Sequence, residues 1–198
     1  MYDDQEYVES FYQAKKNLFK EHPLRALFFE VTSRCNARCE HCGSSCGDFV
    51  PKDEITGEEI KKVLRDVAEH FDPKEVMLNI TGGEPLVRKD LFELMDYATK
   101  LGFYWGMTTN GMLIDEEVVK KMAETKMYSI SVSIDGMKDL HESFRKVPGS
   151  FKKIMHAIDL LKELDTINHL QITTVANKKN LNELEDLYNL MKELNIIS

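Results

Sequence analysis

Five times along this chain a short apolar run is followed by a stretch of helical periodicity, and that order leaves few folds open. The apolar runs are 26–32, 76–81, 104–109, 128–134 and 170–175, and the helical patterns are 56–70, 89–101, 115–126, 150–164 and 180–194. Strand and helix in strict alternation predict an α/β domain, a parallel sheet with helices outside it. The helix starts are marked by their own chemistry. Thr56 is followed three residues on by Glu59, Asp115 stands three residues before Val118 with an acidic first turn, and Ser150 follows Pro148-Gly149.

Ahead of the alternation, residues 1–22 carry Tyr7, Phe11, Leu18 and Phe19 at roughly helical spacing and end at His22-Pro23. They predict a helical extension packed on the outside of a single domain over 23–198, and 198 residues are enough for one substantial core. No stretch approaches the length of a membrane span, and the first residues are acidic where a signal peptide is basic and then apolar. The expected location is the cytoplasm. With 34 acidic against 26 basic residues, net −8, and no cluster of Lys and Arg, the composition disfavours nucleic acid as a partner.

Each polar motif falls just after a predicted strand. Cys35, Cys39 and Cys42 follow the first, Gly82-Gly83-Glu84-Pro85 the second, Thr109-Asn110-Gly111 the third, Asp135-Gly136 the fourth and Asn177 the fifth. In a parallel barrel these positions share one rim, the face where active sites assemble. All four cysteines lie between positions 35 and 46, too close together for a disulfide framework and suited to metal binding in a reducing compartment. Three thiolates at CxxxCxxC spacing suit three corners of a four-iron cluster with the fourth iron open. The alternative from the same residues is a structural zinc ion with Cys46 or His41 as fourth ligand.

The motifs also resemble, in order, those of the radical S-adenosylmethionine (SAM) enzymes: CxxxCxxC, Thr81-Gly82-Gly83-Glu84-Pro85, Thr108-Thr109-Asn110-Gly111 and Ser133-Ile134-Asp135-Gly136. The resemblance implies a partial (β/α)6 TIM-like barrel. By it the chain stops at 195–198, where a sixth strand is due, and is expected to be truncated before that strand. It further implies a 4Fe–4S cluster on Cys35, Cys39 and Cys42, and SAM held by His41, Gly82, Gly83, Glu84, Pro85, Thr109, Ser133, Asp135 and Arg145. Gly83 is expected nearest the methionine amino group and Arg145 against a carboxylate. Cys46 is expected to be a small thiol and not a ligand, and Arg34 and Arg38 flank the cluster. No catalytic side chain beyond these is assigned.

The activity so implied is one-electron cleavage of SAM to methionine and a 5′-deoxyadenosyl radical that takes a hydrogen atom from the substrate, with a flavodoxin- or ferredoxin-type electron donor. The Gly-Gly-Glu-Pro-Leu-Val-Arg-Lys-Asp-Leu run and Ser-Ile-Asp-Gly resemble the SPASM branch, which modifies peptides and proteins, so a peptide or protein substrate is the first expectation. The GTP cyclase of molybdopterin synthesis is the alternative; against it, Asn79 stands where that enzyme has an arginine, and Gly43-Ser44 where it has Met-Pro. A non-catalytic ferredoxin-like or zinc protein leaves the Gly-Gly-Glu-Pro loop unexplained. His70, His156 and His169 read as structural or solvated, the runs 52–54 and 178–180 as exposed loops, and Met77, Met107, Met112, Met122, Met127 and Met155 as core filling.

Overall fold

In the computed structural model the described residues are 4–46 and 54–196. Residues 52 and 53 of the charged run and the last two residues of 195–198 lie outside them. Five strands, β1 Ala26–Glu30, β2 Met77–Thr81, β3 Tyr104–Thr109, β4 Ser129–Ser133 and β5 His169–Thr173, form one parallel sheet in the order β1-β2-β3-β4-β5. The sheet is open, with β1 and β5 at its edges. The helices are α1 Asp4–Glu21, α2 Gly57–His70, α3 Leu91–Leu101, α4 Glu116–Glu124, α5 Lys138–Arg145, α6 Ser150–Lys162 and α7 Leu184–Glu193.

Period-two alternation divides the sheet into two faces. Phe29, Leu78, Ile80, Trp105, Met107, Ile130 and Val132 point to the helix side and are buried with Ile60, Leu64, Leu94, Met95, Met122, Ile154, Ile158 and Leu161. Each fully buried Leu or Ile there stabilises the fold by roughly 1.5–3 kcal/mol. Trp105 adds a polar anchor, its Nε1–H donating to Thr125 O at 2.8 Å, so β3 is tied to the end of α4. On the other face Phe28, Asn79, Gly106, Ser129, Ser131 and Gln171 line a cleft of about 100 Å³. Gly106 is favoured there, since a Cβ on it would lie 2.8 Å from the backbone Ser129 O, which cannot turn away.

The capping signals act as read. Thr56 and Glu59 form a capping box at the start of α2, and Asp115 accepts from Val118 N–H at 2.9 Å. Two features differ from expectation. The helix α5 has no counterpart in the sequence reading, because its N-cap is Met137, which makes no side-chain cap. The outer packing expected of residues 1–22 is not observed, for every side chain from 5 to 20 is exposed. Tyr7, Phe11 and Leu18 do form a stripe beside Val8, Tyr12 and Phe19, but no described element covers it.

Candidate active site

The ladder between β1 and β2 does not stop with the strands. Val31 N–H donates to Thr81 O at 3.0 Å, Gly83 N–H to Thr32 O at 2.7 Å and Glu84 N–H to Arg34 O at 2.9 Å, so the Gly-Gly-Glu-Pro loop is zipped along the entry to the cysteine loop. This contact demands both glycines. A Cβ on Gly82, whose φ is +136°, would lie 2.3 Å from Thr32 O, and one on Gly83 2.1 Å from Arg34 O. The sequence reading had the glycines admit a ligand; in the fold they first admit the neighbouring backbone.

Arginine side chains brace the same entry. Arg88 donates Nη1 to Val31 O at 2.6 Å and to Ile55 O at 2.8 Å while its Nε and Nη2 hold the Asp90 carboxylate at 2.7 and 3.1 Å. Arg38 folds back so that Nη1 donates to Cys35 O and Ala37 O, each at 3.0 Å. Arg34 faces Glu54, 3.7 Å away, and Thr32. Short turns, Cys42 N–H to Cys39 O at 3.2 Å and Ser45 N–H to Cys42 O at 3.4 Å, then curl the cysteines around one side of the loop.

Beneath them is a cavity of about 260 Å³. Of the residues expected at the site, Cys35, Cys39, Cys42, His41, Gly82, Gly83, Thr109, Ser133 and Arg145 line it, and so does Cys46. Glu84, Pro85 and Asp135 are not among its lining residues. Glu84 is wholly buried and accepts from Thr109 Oγ1 and Asn110 N–H, each at 2.8 Å, and from Leu86 N–H at 3.2 Å. Burial pushes its carboxyl up, and those donors oppose the shift. Asp135, also wholly buried, takes Arg145 Nε and Nη2 on one oxygen at 2.8 and 2.7 Å and Val175 N–H on the other at 3.1 Å.

Several contributors were given no role in the sequence reading. Asn110 lines the cavity, and Asn180, buried, donates Nδ2 to Asp135 O at 2.8 Å and Val175 O at 3.0 Å. Asn180 belongs to the run 178–180 read as an exposed loop, and its complete burial corrects that reading; Asn177, noted after the fifth strand, donates its N–H to Asn180 Oδ1 at 2.7 Å. His141 accepts Asp135 N–H at 3.2 Å through Nδ1, and burial, then the nearby Arg145 charge, lowers its pKa to about 4. His41 packs edge-on against Phe144, centroids 5.6 Å apart, with Nε2 3.6 Å from Asp135 Oδ2 and a buried Nδ1 that has no partner.

The donor set tests what this cavity suits. Burial raises the Cys35 and Cys39 thiols; at Cys39 the Arg145 charge pulls the other way. Cys42 is held below its ordinary value although desolvation, the largest influence, opposes this, because the backbone N–H groups of Cys46 and Ser44 and the Cys46 side chain donate to it. Asn110 Nδ2 lies 3.9 Å from Cys35 Sγ and Arg145 Nη1 3.6 Å from Cys39 Sγ. Half-buried sulfurs approached by donors suit thiolates bound to a metal centre. Among the described residues no three His, Cys, Asp or Glu side chains are gathered for a single ion.

Residues 29–191 match the family described as the Radical SAM superfamily. The chain belongs to that superfamily. With membership come the superfamily's cofactors, a 4Fe–4S cluster and SAM, and the cysteine loop has the donors for the cluster. The radical SAM domain is 36% identical to the AdoMet-dependent heme synthase of Methanosarcina barkeri, over 88% of this chain and 49% of the relative. It is 32% identical to mycofactocin maturase of Mycolicibacterium smegmatis, over 81% and 40%. The solved structure of native anSMEcpe with bound AdoMet superposes with a TM-score of 0.74 at 25% identity, covering 88% of this chain and 50% of that one. The chain thus spans about half or less of the length of these relatives. The open five-stranded sheet is the partial TIM-like barrel of the superfamily.

Proposed function

We propose that this radical SAM chain binds a 4Fe–4S cluster on Cys35, Cys39 and Cys42, holds SAM beneath it, and abstracts a hydrogen atom from a peptide or protein. The observation that carries the reading is that one cavity collects three cysteines, the Gly82-Gly83 backbone, Thr109 and Ser133 from four separate strand ends and Arg145 from the end of α5. When bound, the cluster and SAM supply one-electron cleavage of the sulfonium to methionine and a 5′-deoxyadenosyl radical.

The chain's own residues do the positioning. Gly82 and Gly83 hold the loop against Thr32 and Arg34, which fixes its backbone at the cavity wall. Ser133 offers a hydroxyl, and His41 and Thr109 line the wall, the Thr109 hydroxyl already donating to Glu84 Oε1 at 2.8 Å and accepting Gly111 N–H at 3.0 Å. Glu84, Pro85 and Asp135 act at one remove, Glu84 by fixing Thr109 and the Asn110 backbone, Asp135 by aiming Arg145. The polar cleft with Asn79 and Gln171 lies on the same sheet face, where a substrate's hydrogen-bonding groups find partners.

A peptide substrate is supported by the run around Gly82-Gly83-Glu84-Pro85 and by similarity to mycofactocin maturase. The electron donor is then of flavodoxin or ferredoxin type. The cytoplasm supplies the reducing conditions that free thiols require, and no helix among the described residues is long and apolar enough to cross a membrane. A second reading, an iron porphyrin as substrate, is favoured by the higher identity to the AdoMet-dependent heme synthase.

The test is anaerobic reconstitution with iron and sulfide, then electron paramagnetic resonance of the reduced protein with and without SAM. A four-iron signal that shifts on adding SAM, with 5′-deoxyadenosine formed under reduction, supports the reading. Stoichiometric zinc, or a cluster indifferent to SAM, overturns it. Substrate-dependent hydrogen transfer into 5′-deoxyadenosine from labelled peptide or from iron porphyrin separates the two substrate readings.

A further inference from the structure

Two of the three cysteines read as cluster ligands are approached by a side-chain donor from a distant part of the chain. Arg145, the last residue of α5, places Nη1 3.6 Å from Cys39 Sγ, and Asn110, the first residue after β3, places Nδ2 3.9 Å from Cys35 Sγ. Neither orientation is free. Arg145 spends Nε and Nη2 on one oxygen of the buried Asp135, which leaves Nη1 to face the sulfur. Asn110 Oδ1 accepts Met112 N–H at 3.1 Å, so its amide NH₂ is the end that faces Asn36 Oδ1, at 2.7 Å, and Cys35.

A neutral thiol is a weak acceptor, whereas the sulfur of a metal-bound thiolate carries negative charge and accepts well. These donors therefore count for most once iron is bound. Adding one electron to an iron–sulfur cluster makes its sulfurs more negative, and hydrogen bonds to them, like nearby positive charge, stabilise the reduced form more than the oxidised one.

We propose that Arg145 and Asn110 raise the reduction potential of the cluster by donating to Cys39 and Cys35, with Asp135 as the residue that positions Arg145. The redox step is a single electron passed from a low-potential flavodoxin- or ferredoxin-type protein to the cluster, with no proton required. The inference rests on the reading of the three cysteines as cluster ligands.

The test is a potentiometric titration of the reconstituted full chain, read by electron paramagnetic resonance in the absence of SAM. Omitting SAM matters, because an Arg145 that serves only the SAM carboxylate then has no effect. Arg145→Gln, which loses the charge and whose amide stops two bonds short of the Nη1 position, is expected to lower the midpoint enough to change the oxidised-to-reduced ratio about tenfold at fixed potential, about 59 mV for a one-electron couple. Asn110→Ser is expected to lower it by less, and Arg145→Lys, which keeps the charge, to fall between Arg145→Gln and the unmodified protein.

Arg145→Gln leaves Asp135 buried without its partner, so the paired change Asp135→Asn with Arg145→Gln tests the same donor without a stranded charge. Asn110→Ser tests the other thiolate independently. Full four-iron content with an unmoved midpoint in Asn110→Ser and the paired variant overturns the donor role while leaving the cluster reading intact. An unmodified chain that assembles no cluster overturns both.

Discussion

Glu84 and Thr109 meet across the gap between two strand ends, the threonine hydroxyl donating to Oε1 at 2.8 Å while the whole glutamate is sealed from solvent. The acid of the Gly-Gly-Glu-Pro motif thus joins the loop after β2 to the end of β3. Through it the two glycines and Asn110 are held in one frame, the glycines against the cysteine loop and Asn110 beside Cys35.

From this follows the behaviour of Glu84→Gln. Thr109 and Leu86 both donate to Oε1 and the Asn110 N–H donates to Oε2, so an amide in place of the carboxylate sets its own NH₂ against one of three donors. A buried donor without an acceptor costs about 1–3 kcal/mol. Thermal unfolding is expected to move down by several degrees, since for a chain of this size each kcal/mol is worth about 2–4 °C. An unchanged or higher midpoint means that the carboxylate is not the acceptor holding these two loops together.

His141 predicts the response to acid. Buried behind Asp135, it has a pKa of about 4 against an ordinary value of 6.5, so it stays neutral in the fold while the unfolded chain takes up a proton. The unfolded state binds more protons between those two values. Its contribution to stability is therefore complete above pH 6.5 and is lost as pH falls toward 4, by up to about 3 kcal/mol. Urea unfolding at a series of pH values is expected to show this slope, and His141→Asn, which keeps an acceptor for the Asp135 N–H, is expected to flatten it. The same slope in the variant would assign the acid response to other groups.

At Gly83 the expected effect reaches the metal site. A methyl group 2.1 Å from Arg34 O forces the two loops apart, because the obstacle is backbone and not a side chain that can turn away. Gly83→Ala is expected to lower both the unfolding midpoint and the iron and sulfide retained after reconstitution. A variant that unfolds earlier yet keeps full iron would show that the cysteine loop holds its shape without this zipper.

How much of this was open to reading from the chain alone differs by level. The five strands and the helices Gly57–His70, Leu91–Leu101, Glu116–Glu124, Ser150–Lys162 and Leu184–Glu193 lie where periodicity put them, because burial on one face writes a repeat into the sequence. α5 did not show itself, since eight residues capped by Met137 carry no start signal. At the site, placement after strand ends was enough to bring Cys35, Gly82, Thr109 and Ser133 to one rim. Which way Glu84 and Asp135 turn was not legible. A carboxylate after a glycine turn reads the same whether it faces a ligand or the backbone of the next loop, and only the positions of Thr109, Asn110 and Arg145 decide it.

The polar sheet face gives a prediction that separates cofactor from substrate. Asn79 and Gln171 line the cleft with Phe28, Ser129 and Ser131, but neither lines the cavity beneath the cysteines. Asn79 Nδ2 donates only weakly within its own strand, to Met77 O at 3.3 Å, so its amide has bonding capacity for a ligand. Asn79→Ala and Gln171→Ala are therefore expected to assemble the cluster and to show the full spectral shift with SAM, yet to lose tenfold or more of substrate-dependent turnover. Uncoupled formation of 5′-deoxyadenosine without substrate should persist in both. Loss of the SAM shift in either variant would move that residue into the cofactor site, and unimpaired turnover in both would place the substrate elsewhere on the protein.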